Sequence, residues 1–196
     1  MVGICLRVAT ADDVPVLRQL IDLSVRRLQA GDYTPKQIEF ALQTVFGVDS
    51  QLISDGTYLV AEIHQTVCPP SIVGCGGWSK RKTLFGGDHW SGREPELLDP
   101  KKDAAKIRSF FIHPEYARRG IGTMILKGCE DAAAAAGFTH CEMAATLTGV
   151  KLFQARGYVA VGPVDVPLSD GSSLPVIRMG KQIQQQNKKP TREAVG

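Results

Sequence analysis

One short segment in the second half of the chain combines basic residues and glycines in a pattern that suits phosphate binding. Residues 110–123 predict a strand, a turn that reads Arg-Arg-Gly-Ile-Gly, and the start of a helix. A helix N-terminus presents unpaired N–H groups and the positive end of the helix dipole. Gly120 and Gly122 would let a phosphate approach the backbone closely. With positive charge from Arg118 or Arg119, the segment predicts a site for a phosphate or pyrophosphate.

Two better-known phosphate-binding motifs fit this chain poorly. A P-loop needs Lys-Ser or Lys-Thr after its second glycine, and the glycine pair at 87–92 is followed by Arg93 and Glu94. The dinucleotide-binding fingerprint needs a third glycine, where Ile125 stands, and a position on the first strand. A plainer interpretation, a helix start whose glycines allow tight packing, stays open beside the phosphate site.

Apolar periodicity and turn signals predict the elements that position this segment. Strands are predicted at 6–8, 57–63, 72–78, 105–112, 141–145, 158–161 and 175–179. Capping signals at Thr10–Asp13 and Thr34–Gln37 predict the starts of two helices. Apolar periodicity predicts a third helix from Ile121 to Ala136, and a short fourth helix is predicted to end near Arg156. The order β α α β β β α β α β β, without a repeat, predicts one α/β (α+β) domain. Residues 80–103 have no period and predict a long loop.

Length and composition are those of an ordinary globular protein. The 196 residues suffice for one domain with a sizeable core, which we assign to residues 1–181. A hydrophobic fraction of 43% and a charged fraction of 22% argue against a mostly disordered chain. The sequence contains no run of eighteen apolar residues, so it predicts no membrane span. Its first residues do not resemble a signal peptide. We therefore expect a cytoplasmic protein without a membrane partner.

Charged residues and potential metal ligands show no functional clustering along the chain. The net charge of +3 resides from residue 181 onward, and the polar residues 182–196 predict a disordered basic tail. The neutral remainder is not typical of a nucleic-acid-binding protein. The five cysteines form no Cys-x-x-Cys pair, which suits a reducing compartment. The four histidines have no metal-ligand spacing, so we expect no metal.

Residues 112–122 resemble the acetyl-CoA motif of the GNAT N-acetyltransferases, and the order of elements is similar to theirs over roughly residues 4–181. Residues 6–13 look like the first strand and helix of that family, and residues 152–158 look like its last helix with the glycine-aromatic pair that follows. The resemblance implies a mixed β-sheet that is splayed between the fourth and fifth strands and flanked by about four helices. It also implies an acetyl-CoA-dependent N-acetyltransferase.

The resemblance assigns expected roles to particular residues. The pantetheine arm of acetyl-CoA would pair with backbone groups of the fourth strand, and the pyrophosphate would sit on amides of the glycine-rich turn. The acetyl-CoA-binding residues so implied are Phe110, Phe111, Ile112, Arg118, Arg119, Gly120, Ile121, Gly122, Thr123, Thr146 and Phe153. Acetyl-CoA would be the co-substrate, and the amine of a small molecule or peptide would attack its thioester directly. A backbone N–H near Ile112 would stabilise the oxyanion.

Three positions depart from the family's pattern. Ala117 stands where the motif usually opens with Gln or Arg, and Thr146 stands where the family often has Asn. Phe153 stands where the family often has a Tyr that protonates the departing thiolate, and a phenyl ring cannot donate a proton. A second hypothesis therefore stays open, in which the chain is a catalytically weak or inactive acyl-CoA-binding or regulatory module of the same fold.

The sequence does not single out a catalytic residue. Glu142 and Glu62 lie in predicted strands, where each could act as a general base through water or could face solvent. Ser109, on the fourth strand, is a third candidate. Arg108 on the same strand could bind a substrate carboxylate through two hydrogen bonds, or it could form an ion pair with an acidic neighbour.

Two aromatic residues of the loop at 83–99 are candidates for contact with the acceptor. Phe85 and Trp90 lie among several glycines, which suits a flap over an acceptor site. The same two rings could instead pin the loop to the core. The expected partner is thus a small-molecule or peptide amine, and formation of a homodimer is left open.

Overall fold

Seven strands form one mixed sheet in the computed structural model, which describes residues 3–64 and 70–183 of the chain. The strands are β1 (Gly3–Val8), β2 (Tyr58–His64), β3 (Ser71–Ser79), β4 (Ala105–Ile112), β5 (His140–Thr146), β6 (Val159–Pro167) and β7 (Ser173–Gln182). They lie in the order β1-β2-β3-β4-β5-β7-β6. β4 and β5 pair in parallel, and the other neighbours pair antiparallel. The predicted mixed sheet and α/β class are confirmed.

Five α-helices flank this sheet within the described residues. They are α1 (Val14–Leu28), α2 (Pro35–Thr44), α3 (Ser50–Ser54), α4 (Ile121–Ala135) and α5 (Leu147–Ala155). The predicted capping box begins α2, where the Gln37 N–H donates to Thr34 Oγ1 at 3.2 Å and the Thr34 N–H donates to Gln37 Oε1 at 3.0 Å. The sequence does not predict α3, because its five residues are too few to show a helical period.

Side chains that alternate along the strands divide the core between the two faces of the sheet. α1 and α2 pack on one face, where the buried residues include Leu17, Ile21, Val25, Ile38, Val60 and Phe111. α4 packs on the other face, where the buried residues include Ala61, Ile107, Ile125, Leu126, Cys129 and Met143. The sheet is therefore covered on both faces, which holds β4 and β5 in place in the middle of the molecule.

The sheet opens between β4 and β5, as the family resemblance implies. Their pairing is limited to Ala105 with Cys141 and Lys106 with Glu142. Farther along β4, Ser109 has a φ of +59°, and the register against β3 shifts at the same place. Such a β-bulge bends its strand and increases the local twist. β4 therefore turns away from β5 and leaves a gap lined by backbone groups of both strands.

The predicted end of the domain falls close to the end of the last strand. β7 runs to Gln182, and Ile183 is buried and donates its N–H to the Thr139 carbonyl at 2.8 Å, so the first two residues of the predicted tail belong to the fold. From residue 184 the predicted basic tail lies outside the described residues, and it stays a prediction. None of the helices in residues 3–64 and 70–183 is long and apolar enough to cross a membrane.

An ion pair ties the first strand to the start of α1. The Arg7 guanidinium donates to both carboxylate oxygens of Asp13, at 2.7 and 2.8 Å. The backbone N–H of Thr10 also donates to Asp13 Oδ2, at 2.7 Å. The hydrogen bonds from Arg7 lower the pKa of Asp13 to about 2, against the effect of its partial burial. The negative charge of Asp13 is thus favoured in the folded state.

Replacing this carboxylate should change how stability depends on pH. A depressed pKa contributes stability above the unfolded value of about 3.9, and this contribution is lost as the pH falls through the folded value. We expect Asp13→Asn to cost about 1 kcal/mol at neutral pH, allowing for solvent screening of the exposed part of Arg7. The difference from wild type should shrink between pH 4 and pH 2, as measured by urea denaturation. Asp131→Asn, which removes an exposed partner of Lys127, is the control. A difference that stays constant down to pH 2 would contradict the assignment.

Candidate active site

A cavity of about 650 Å³ occupies the gap between β4 and β5. Its walls include β4 from Ile107 to Ile112, the end of β5 and the facing side of α5. The lining continues to the first residues of α4 and to an apolar group from α1, β6, β7 and the loops beside them. All the predicted acetyl-CoA residues line this cavity except Arg119, whose guanidinium lies 5.1 Å from the ring centre of Tyr116. The splayed strands thus bring the predicted cofactor residues around one space.

The turn before α4 directs its backbone into this cavity. Arg118 and Gly120 have φ values of +64° and +84°, and Gly120 is the N-cap of α4. A side chain at Gly120 would meet no atom within 4 Å. Glycine is therefore favoured here by the left-handed backbone and not by crowding. The first N–H groups of α4 have no partner within the helix, so the turn can receive a phosphate.

Gly122 is favoured for a different reason. A Cβ at this position would lie 2.9 Å from Cδ2 of Leu152 on α5, so the flexible end of the Leu152 side chain would have to move. The phosphate-binding interpretation of the glycine pattern therefore suits Gly120, and the tight-packing interpretation suits Gly122. Gly120 gives the turn its conformation and its open face, and Gly122 allows α4 to pack against α5.

One backbone donor of β4 faces the cavity and already has a partner. The His113 N–H donates to the Val73 carbonyl of β3 at 2.9 Å, so the preceding N–H, that of Ile112, points the other way. The Ile112 N–H donates to Oγ of Ser24 on α1, at 3.2 Å. Both residues line the cavity. A carbonyl oxygen bound at the predicted oxyanion position would share this donor with Ser24 or replace it.

A buried phenol holds the bulge of β4 in position. Oη of Tyr58 lies 3.3 Å from the carbonyl oxygen of Ser109 and 3.2 Å from Sγ of Cys75. Burial raises the pKa of Tyr58 well above its usual range, so the phenol keeps its proton and can donate. Ser109 lines the cavity whereas Tyr58 supports it from behind. The unusual backbone of Ser109 is thus stabilised by a residue that lies far away in sequence.

Phe153 occupies the position at which the family resemblance places a proton donor. Its ring is buried and packs edge-on against Phe110 and Tyr158, with ring centres 5.9 Å apart in both pairs. Phe110 and Phe153 line the cavity, and Tyr158 does not. The structure therefore has a buried apolar ring at the position where the resemblance implies a proton donor. The hydroxyl groups that share the described lining belong to Ser24, Ser109, Tyr116, Thr123, Thr146 and Thr148.

Neither carboxylate candidate for the general base lines the described cavity. Glu142 on β5 accepts hydrogen bonds from Lys106 and from Arg178, the latter at 2.9 Å from Nε. Burial acts to raise the pKa of Glu142, but these two hydrogen bonds outweigh it and hold the pKa below its usual range. Glu62 on β2 is bound by Arg7 at 2.5 Å. Of the three catalytic candidates, Ser109 alone lies at the cavity.

Arg108 is neutralised by a buried acid that the sequence analysis did not identify. Its guanidinium forms an ion pair with Asp49, the N-cap of α3, and also donates to the carbonyl oxygens of Thr83 at 2.9 Å and Gly86 at 2.7 Å. The side chains of Arg108 and Asp49 are 3% and 0% exposed. Arg93 adds a second cation to Asp49 at 2.8 Å. Of the two roles considered for Arg108, the structure shows the ion pair with an acidic neighbour.

The loop after β3 is held to the body by these contacts and by its aromatic rings. The rings of Phe85 and Trp90 lie 4.9 Å apart and pack against the core beneath α1 and α2. Phe85 lines the cavity, whereas Trp90 supports Phe85 from outside the lining. A bridge between Arg81 and Leu97 folds the loop back on itself. The loop thus presents one of the two predicted aromatic contacts to the cavity.

A comparison with protein families matches residues 20–158 to the acetyltransferase (GNAT) family. The chain belongs to the GNAT acetyltransferase family. The matched range contains the bulge of β4, the glycine turn, α4 and Phe153. It therefore contains the described lining of the cavity apart from Val166, Leu174 and Val176.

Solved structures of other GNAT proteins share this fold. A GCN5-related N-acetyltransferase from Rhodopseudomonas palustris is 24% identical, with a TM-score of 0.65 over 91% of this chain and 95% of that one. The PaiA N-acetyltransferase from Thermoplasma acidophilum, in complex with coenzyme A, is 16% identical, with a TM-score of 0.61 over 92% and 99%. A mosquito arylalkylamine N-acetyltransferase-like protein is 15% identical, with a TM-score of 0.57 over 92% and 100%. A search of curated proteins finds no match.

The glycine turn of this GNAT protein can be tested with two matched substitutions. Gly120→Val should abolish acetyl-CoA binding, because a branched side chain would project into the open face that receives the phosphates. The left-handed backbone should add a loss of about 1–2 kcal/mol in stability. Gly171→Val is the control, since Gly171 has nearly the same φ, +83°, and equally open surroundings in the turn between β6 and β7. Isothermal titration calorimetry should show binding lost only in Gly120→Val. Equal binding by both variants would place the phosphates elsewhere.

The role of Arg108 can be separated into structure and recognition. Arg108→Met leaves Asp49 with Arg93 as its cation and removes the donor to two loop carbonyls, so we expect a loss of about 3 kcal/mol in unfolding free energy. Arg81→Met, which breaks a more exposed pair with Asp55, should cost about 1 kcal/mol or less. Chemical denaturation measures both. A stable Arg108→Met protein that has lost only its affinity for a carboxylate-bearing acceptor would instead support a role in substrate binding.

Proposed function

We propose that this protein is an acetyl-CoA-dependent N-acetyltransferase whose acceptor is a small amine with an apolar body, or a peptide amine of that character. The observation that carries the proposal is one connected cavity that joins the glycine turn, the splayed edge of β4 and an apolar chamber. The first two features suit the phosphates and the pantetheine arm of acetyl-CoA. The third lies where an acceptor can reach the thioester from the side of α1.

The chamber supports an acceptor with an apolar body and one amine that is bound in its neutral form. Its apolar lining residues are Leu28, Val45, Phe46, Phe85, Val166, Leu174 and Val176. The charged side chains of the described lining are Arg108, which Asp49 neutralises, and the cations Arg118 and Lys151, and this lining contains no acid. A second ammonium group would therefore find no counter-charge. The mosquito neighbour, an arylalkylamine N-acetyltransferase-like protein, supports the same class of acceptor.

The reaction follows from these surroundings. The amine attacks the thioester carbon in its neutral form, and the developing oxyanion is stabilised by the Ile112 N–H. No carboxylate or imidazole of the described lining can take the proton from the amine. The ammonium form therefore gives one proton to solvent before attack, and the rate rises with the neutral fraction of the amine. When the C–S bond then breaks, the nitrogen releases a second proton, which the departing CoA thiolate takes up through solvent.

An acceptor panel tests the proposal. We expect phenylethylamine to release CoA from acetyl-CoA, and spermidine to do so much less well. Below the pKa of the amine, kcat/KM should rise about tenfold per pH unit. A bell-shaped profile with an inflection near neutral pH would reveal a general base in the protein. If acetyl-CoA binds and no amine in the panel releases CoA, the protein is the binding or regulatory module instead, which the apolar Phe153 favours.

Phe153 also provides a direct test of the missing proton donor. Phe153→Tyr should keep the fold and raise kcat. The rise should not exceed the factor of about 10²–10⁴ that a general acid supplies. Tyr158→Phe, which removes a buried hydroxyl outside the cavity lining, should leave kcat unchanged. Steady-state CoA release with both variants measures the effect. An unchanged kcat in Phe153→Tyr would show that another donor serves the thiolate or that product release limits the rate.

We further propose that the protein acts in the cytoplasm. Cys75, Cys129 and Cys141 are buried free thiols in the structure, which is compatible with a reducing compartment. The expected absence of nucleic-acid and membrane partners, and the assembly state, stay predictions.

A further inference from the structure

Three potential metal ligands of different chemistry meet on the surface of β1 and β2. Sγ of Cys5 lies 3.1 Å from Nε2 of His64. The same nitrogen lies 3.6 Å from Oε2 of Glu62. The three donor atoms all lie within 4.8 Å of one another. None of these residues lines the acetyl-CoA cavity.

Strand register explains why they meet, and why their spacing in the sequence does not show it. Cys5 is directly opposite Glu62 in the β1–β2 ladder. His64 follows Glu62 by two residues, so both side chains lie on the same face of β2. The ligand set is therefore split between two strands that a long stretch of chain separates, and no local motif is formed.

The carboxylate of Glu62 is oriented by a neighbouring ion pair. Arg7 donates to Oε1 of Glu62 at 2.5 Å and is itself held by both oxygens of Asp13. The other oxygen, Oε2, is the one that faces His64. Hydrogen bonds of this kind orient metal ligands from behind and contribute to metal affinity. The side chain of Glu62 is 14% exposed, whereas Cys5 and His64 are exposed, so an ion can enter from solvent.

We propose that Cys5, Glu62 and His64 bind a transition-metal dication, with Zn²⁺ the best match to their chemistry. Thiolate, imidazole and carboxylate are the donors that Zn²⁺ prefers, and tetrahedral bonds of about 2.0–2.3 Å place neighbouring donors about 3.4–3.6 Å apart. Two donor pairs are separated by 3.1 and 3.6 Å and the third lies within 4.8 Å, so the side chains must adjust to reach this geometry. Binding replaces the S–H bond of Cys5 with an S–Zn bond and releases the proton to solvent. Water fills the fourth position.

The site would fasten β1 to β2 without taking part in acetyl transfer. β1 is an edge strand, and β3 separates β2 from the wall of the cavity. An ion that binds only the folded protein raises its melting temperature by mass action. For a chain of this size, an excess of about 100-fold over Kd corresponds to a rise of several degrees.

Cobalt and zinc titrations test the site in the full-length, untagged, metal-free protein, kept reduced with a phosphine. Co²⁺ should produce a thiolate-to-cobalt charge-transfer band in the near ultraviolet at one ion per chain, and Zn²⁺ should displace it and raise the melting temperature. Cys5→Ser should remove the band. His64→Gln should weaken Co²⁺ binding at least about tenfold. His140→Gln, which changes another exposed histidine on a strand, should behave as wild type.

Each alternative outcome is distinct from a failure of the proposed acetyl transfer, because the readouts are spectroscopic and thermal. A band that survives in Cys5→Ser would place the thiolate ligand elsewhere and overturn the assignment. A loss of equal size in His140→Gln would show non-specific binding and would also overturn it. Acetyl-CoA affinity, measured by calorimetry, should be the same in Cys5→Ser as in wild type, which confirms that the variant is folded.

Discussion

The early end of pairing between β4 and β5 is the constraint on which the rest of this structure depends. Two strands that stayed paired past Lys106 would close the sheet and leave no cavity. Opening them leaves backbone N–H and C=O groups without ladder partners, which is costly unless another group satisfies them. The structure meets this cost with side chains from other elements, Ser24 at the Ile112 N–H and Tyr58 at the Ser109 carbonyl. Polar groups in an otherwise apolar core thus hold the sheet open.

The buried ion pair of Arg108 and Asp49 also stabilises the region around β4. An ion pair between Arg108 and Asp49 loses hydration on both partners, so it adds little net stability by itself. Its value here is positional, because the same guanidinium also binds the carbonyl oxygens of Thr83 and Gly86. These contacts fix the loop that brings Phe85 to the cavity. A hydrophobic residue in place of Arg108 could fill the space, but it could not hold two loop carbonyls.

Features encoded by neighbouring residues could be predicted from the sequence, and features that depend on distant residues could not. The capping box at Thr34 and the turn around Gly120 arise within a few residues, and the structure has both where the sequence places them. Asp49 lies 59 residues from Arg108, so the acidic partner could be expected but not identified. Ser24 did leave a signal, since it is a polar residue on the apolar stripe of α1, where its buried hydroxyl needs a partner.

Cofactor binding and proton transfer therefore place different demands on this chain. Backbone amides bind a phosphate whatever side chains they carry, so in the proposed mode of acetyl-CoA binding Ala117 would remove no phosphate contact. Proton transfer needs a titratable group at one point, and Phe153 and the described lining supply no carboxylate or imidazole there. The apolar chamber offers a physical substitute. Burial beside cations disfavours the ammonium form of a bound amine and lowers its pKa. In the proposed reaction, the cavity would thus favour the reactive neutral amine by desolvation, without a residue that removes the proton.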